Sequence, residues 1–137
     1  MSAVQANVRL AHVALIVRNV DESARVFGDL LGLVPACREA LAQEGIRIAF
    51  VTVGGVRLEL MEPLDPGGAV NRFLAERGEG VHHLAFLVPD VQAALAQARA
   101  AGLRLIDEDA RPGARGTRVA FLHPSSTHGV LVELVAE

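Results

Sequence analysis

The sequence predicts an α+β fold made of two tandem βαβββ modules within a single domain, residues 1–137, and three observations predict it. The stretch HVALIVRNVDESARVFGDLLGLV, from His12, has a counterpart in HLAFLVPDVQAALAQARAAGLRL, from His83. Further on, RIAFVTVGGVRLELME is matched by RVAFLHPSSTHGVLVELVAE. Between the copies lies EPLDPGGAVNRFLAERGEG, a Pro/Gly-rich stretch that breaks the pattern as a linker would. Module one runs over about 8–62, the linker over about 63–79 and module two over about 80–137.

Each copy opens with His, then Val or Leu, Ala and three more apolar residues, which reads as a strand. Asn19 and Asp90 follow, each with a side-chain oxygen able to cap the free N–H groups of a helix's first turn, and Glu22 makes a near capping box with Asn19. Apolar residues at helical spacing come next: Ala24, Phe27 and Leu31 in one copy, Val91, Ala94, Leu95 and Ala98 in the other. Gly32 and Gly102 stand where helices stop. Another strand is expected near 33–39 and near 103–107. Gly54 and Gly55 mark a tight hairpin, HPSSTHG a longer turn in the second copy, and the linker offers a short helix around 69–77.

Composition narrows the function classes. The chain is 51% hydrophobic and 21% charged, as a globular protein should be. Thirteen basic and sixteen acidic residues are interspersed, with no basic block and neither Trp nor Tyr, so nucleic acid is not the expected partner. No apolar run approaches the roughly 20 residues that span a bilayer, and the first residues lack the features of a signal peptide. The lone Cys37 excludes an internal disulfide and suits a reducing compartment. A cytoplasmic protein without a membrane partner is expected.

Four polar residues interrupt apolar strands. His12 and His83 occupy one slot of the repeat, 71 residues apart, while Glu59 and Glu133 end matching runs, VRLEL and VLVEL. A lone His at a strand start is more often structural, and a lone Glu more often solvent-facing. A buried carboxylate, however, needs a partner or a metal. Recurrence of both residue types in both modules favours ligation, and imidazole with carboxylate suits Mn, Fe, Co, Ni or Zn. His82 points to the opposite face from His83 and is expected to be structural. His123 and His128 fall in the long turn, Cys37 reads as a bystander, and the glycines at 54–55 and 113–116 are weak anion-loop candidates.

The doubled module with His-Glu-His-Glu in these slots resembles the vicinal oxygen chelate superfamily, and HVALIV, VRLELMEPL, FLAERGEGVHHLAF and RPGARGTRVAFLHPSSTHGVLVEL resemble its methylmalonyl-CoA epimerases. The resemblance implies a glyoxalase-like fold, a curved, barrel-like mixed sheet with helices outside. It implies one divalent metal ion per chain, Co2+ favoured, on His12, Glu59, His83 and Glu133. It implies inversion of an acyl-CoA substrate at the α-carbon, with Glu133 and Glu59 as acid–base residues, in a homodimer. Glyoxalase I and a non-catalytic binding protein of the same fold are the alternatives. Ser125, His128 and Arg115 depart from the family's usual Lys, Gly and His, and Ile48 stands where some epimerases carry an acid.

Overall fold

The computed structural model describes residues 7–41 and 45–137, with the backbone alone for 36–39 and 41. Its contacts divide the chain into two compact units, His12–His82 and His83–Glu137, the latter joined by the N-terminal residues up to Ala11. Each unit follows the order β-α-β-β-β.

In the unit His12–His82, β1 (Arg9–Ile16) leads through α1 (Val20–Leu31) to β2 (Ala36–Leu41), β3 (Ile46–Val53) and β4 (Val56–Pro63). The strands lie in the order β2-β3-β4-β1, with β1 parallel to β4 and the other neighbours antiparallel. Gly54 and Gly55 form the two-residue turn between β3 and β4, and Gly54 takes φ +60°, a conformation that suits glycine. Helix α1 starts as its sequence predicts: Asn19 accepts a bond from the Glu22 N–H at 2.9 Å. It also starts with help from elsewhere, because the Glu62 carboxylate accepts from the Val20 N–H at 2.8 Å.

One face of this sheet is closed by α1, where Val17, Val20, Ala24, Ala49 and Leu60 are buried with Phe27 packed against them. Leu31, expected on that buried stripe, is 42% exposed. Gly28 lies there instead, so close to Leu33 and Pro35 that a Cβ would sit 2.9 Å from the Leu33 carbonyl oxygen. The chain leaves the helix across this glycine and turns Leu31 outward. On the other face Ala14, Ile16, Ile46, Ile48 and Met61 pack beneath Val70, Phe73 and Leu74 of α2 (Ala69–Arg77), the expected linker helix.

The unit His83–Glu137 runs through β5 (Gly80–Leu87), α3 (Val91–Ala100), β6 (Arg111–Pro112), β7 (Arg118–Leu122) and β8 (Val132–Ala136). Its order is β5-β8-β7-β6, with β5 parallel to β8. Asp90 caps α3 by accepting from the Ala93 N–H at 3.1 Å. Val91, Leu95 and Ala98 pack on Ala120, Leu122, Leu134 and Ala136, the helical stripe the spacing predicts.

The strand expected near 103–107 does not form; Leu105 makes only an isolated bridge to Leu122. The Asp107 carboxylate, rather than a strand backbone, takes the Phe121 N–H at 2.8 Å and the Arg111 side chain at 3.2 Å. The edge strand is the two-residue β6, ended by Pro112, which has no N–H to offer a ladder. No helix among the described residues is long and apolar enough to cross a membrane.

Candidate functional site

Strand pairing in each unit sets one His and one Glu on a shared face. In His12–His82, the parallel register places Ala14 beside Glu59, and His12 lies two residues earlier on the same face. Ala14 is fully buried and leaves room for the glutamate to lean towards the histidine. His12 Nδ1 stands 3.2 Å from Glu59 Oε2, with the side chains 9% and 12% exposed.

The second unit repeats the arrangement. Ala85, also fully buried, lies beside Glu133, and His83 is two residues earlier. His83 Nε2 stands 3.2 Å from Glu133 Oε1, with the side chains 8% and 12% exposed. One His–Glu pair therefore stands inside each unit.

Two phenylalanines that the sequence reading passed over complete the pattern. Phe50 on β3 lies directly across from Glu59, and Phe121 on β7 directly across from Glu133. Phe121 meets His83 edge-on, ring centres 5.6 Å apart. Each ring also carries a guanidinium: Arg57 over Phe50 at 5.1 Å, Arg111 over Phe121 at 5.6 Å. Arg57 reaches Glu59 Oε2 as well, at 4.0 Å. The signal for the phenylalanines was available: RIAF and RVAF sit 71 residues apart, the same offset as the two histidines.

Other residues singled out in the sequence have local roles. His82 turns away from His83 and packs edge-on against Phe73 of α2, ring centres 5.1 Å apart. His123 accepts the Ser125 N–H through Nδ1 inside its own loop, and His128 adopts φ +60° there. Residues 114–116 form a single 3-10 turn leading into β7 rather than a helix that could hold an anion. The Cys37 side chain lies outside the described residues.

A buried imidazole and a buried carboxylate at hydrogen-bond range can share a proton, or both can turn lone pairs to a cation. Comparison with known proteins decides the family. Residues 11–121 match the model of the Glyoxalase/Bleomycin resistance protein/Dioxygenase superfamily. The chain is 33% identical over 128 residues to the ethylmalonyl-CoA/methylmalonyl-CoA epimerase of Cereibacter sphaeroides, covering 92% of this chain and 96% of that one. The chain belongs to the methylmalonyl-CoA epimerase family of this superfamily. A Streptomyces coelicolor methylmalonyl-CoA epimerase bound to 2-nitronate-propionyl-CoA superposes with TM-score 0.86 at 35% identity, covering 94% of each chain. A methylmalonyl-CoA epimerase in complex with methylmalonyl-CoA and NH4+ gives the same values. The fold is the glyoxalase-like α+β fold, and the family is one of isomerases.

Proposed function

We propose that this protein is a metal-dependent epimerase that interconverts the two configurations of methylmalonyl-CoA at the carbon between its carboxylate and its thioester. The observation that carries the reading is the His–Glu pair repeated in the same register in both units, at 3.2 Å each time, in a chain of this family. His12, Glu59, His83 and Glu133 would hold one divalent ion. Two imidazoles and two carboxylates fit a first-row ion without a thiolate, Co2+ first, then Mn2+, Ni2+, Zn2+ or Fe2+. A cation also answers the cost of placing two nearly enclosed carboxylates in an apolar sheet.

When bound, the ion supplies the positive charge that makes the α-C–H more acidic. The chain's own residues supply the proton chemistry. Glu133, starting without a proton, would take the α-proton as the C–H electron pair moves towards the thioester carbonyl, and Glu59, loosened from the ion and starting with a proton, would give that proton to the opposite face of the carbon. Reversal exchanges the two roles, as a reaction between near-equal isomers requires. Ile48, 2% exposed under α2, offers no acid here, so the second proton carrier must be another group, with Glu59 the residue proposed, or a water.

The test is solvent exchange. Metal-loaded protein should place one deuterium from heavy water on the α-carbon of methylmalonyl-CoA, and chelated protein none. Glu133→Gln and Glu59→Gln should each keep the metal and lose epimerisation by about 10²–10⁴-fold. Full activity of Glu59→Gln would make Glu59 a ligand alone. Turnover of a glutathione hemithioacetal without exchange would move the chain to glyoxalase chemistry.

A further inference from the structure

Resting on that reading, we propose that Asp107 is a positioning residue for the site: through Phe121 and Arg111 it sets the orientation of the His83 ring. The main chain of Phe121 is held by one short segment. Its N–H donates to Asp107 Oδ2 at 2.8 Å. Its carbonyl accepts from the N–H groups of Ile106 and Asp107, at 3.0 and 3.2 Å. Both main-chain groups therefore turn away from β8. That makes Phe121 and Glu133, which lie across from each other, a non-hydrogen-bonded pair, the kind whose side chains stand closest.

A second hold acts on the ring. Phe121 is only half-buried, unlike its neighbours Ala120 and Leu122, so packing from below does not fix its side chain. Arg111 covers it, with the guanidinium 5.6 Å from the ring centre. Asp107 Oδ1 takes the Arg111 Nε–H at 3.2 Å. One carboxylate thus fixes both the backbone of Phe121 and the cation over its ring. An ion pair whose arginine is 49% exposed adds little to stability, so its consequence is where the cation sits. The ring in turn meets His83 edge-on, with planes at 87°. An imidazole ligates through a lone pair in the plane of its ring, so the group packed beside it sets where that lone pair points. The first unit is built otherwise. There the guanidinium over Phe50 belongs to Arg57, which pairs with Glu59 itself at 4.0 Å.

The test reads His83 before any metal is added. In metal-free protein the imidazole C–H signals of the five histidines are recorded by NMR, with His83 assigned through its Ala variant. Asp107→Ala should shift the His83 signals most, because the ring current of Phe121 moves with its ring. Arg111→Gln, which leaves the Phe121 N–H bonded, should shift them less. Asp107→Asn keeps an acceptor for that N–H and should recover part of the wild-type position. Titration with Co2+ should then show affinity about ten- to a hundredfold weaker in Asp107→Ala, with the same order among the variants. Leu95→Ala, altered on the other face of the sheet, should move neither readout, which separates positioning from a general loss of stability. Unchanged His83 signals or unchanged Co2+ affinity in Asp107→Ala overturns the proposal, and so does an equal shift at all five histidines. Wild type that binds no Co2+ and exchanges no deuterium overturns the epimerase reading instead, while the metal-free signals still decide whether Asp107 orients His83.

Discussion

The units His12–His82 and His83–Glu137 place the same two side chains in the same register and surround them differently. In the first, β3 and β4 are joined by two glycines; in the second, β7 and β8 are joined by residues 123–131, a loop that bonds to itself through Ser126, Gly129 and Val130 N–H groups. The first has a six-residue edge strand, the second a two-residue one. Glu59 has Arg57 two residues before it, whereas Glu133 has Leu131. What recurs is His, Ala, Phe and Glu on adjoining strands, together with a capped helix on the opposite face. Those are the residues that strand register must deliver to one place. Turns and edges, which only reconnect strands, were free to diverge.

The largest expected effect breaks the comparison at its centre. His83→Ala should lose bound metal on dialysis, while His82→Ala, one residue away, should keep it, because the His82 side chain turns to Phe73 instead. Metal content measured after exhaustive dialysis checks this. Retention in His83→Ala with loss in His82→Ala would reverse the faces of β5. The neighbours can behave so differently because successive strand residues face opposite ways, as the burial of His83 at 6% and of Ala85 at 0% on one side requires.

Smaller, and confined to the other face, is the effect of Leu95→Ala. Leu95 is fully enclosed between α3 and strands β7 and β8, and truncation should cost about 2–5 kcal/mol through lost burial and the cavity left. Urea titration measures the loss. Metal content of the folded variant should stay at the wild-type level, because the His83–Glu133 pair lies on the face away from α3. Loss of metal with Leu95→Ala would mean that the two faces are not separable and that the helix positions the site.

Much of this was legible in the sequence because the information was written twice. One histidine before an apolar strand says little. Two at an offset of 71, with glutamates recurring in VRLEL and VLVEL, fix both the strands and the face. Helix starts were equally legible, since Asn19 and Asp90 act locally. What escaped depends on contacts distant in sequence. Leu31 fits the helical stripe but is turned out because the chain crosses Gly28. Residues 103–107 have strand-like composition and keep a few backbone bonds to 121–123, yet the Asp107 side chain, 14 residues away in sequence, takes the Phe121 N–H in place of a backbone carbonyl. The stacking of Arg57 on Phe50 follows from the pairing of β3 with β4, which spacing along the chain does not reveal.

The smallest expected effect distinguishes the two helix starts. Asn19 and Asp90 hold equivalent positions, and each accepts one N–H bond from three residues ahead. Their surroundings differ. Helix α1 also has Asp21 and Glu22 in its first turn and the Glu62 carboxylate on the Val20 N–H, so three further acids face its positive end. Helix α3 has no acid in its first turn, which leaves Asp90 as the charge that both caps it and opposes its dipole. Asn19→Ala should therefore cost about 0.5–1 kcal/mol, and Asp90→Ala about 1–2 kcal/mol. Asp90→Asn isolates the two parts: it keeps an acceptor oxygen and should recover most of the loss, short of the dipole contribution. Denaturant midpoints of the three variants measure the order. Equal costs at both sites would mean that the cap bond alone sets the helix start and that Glu62, for all its 2.8 Å bond, adds nothing to α1.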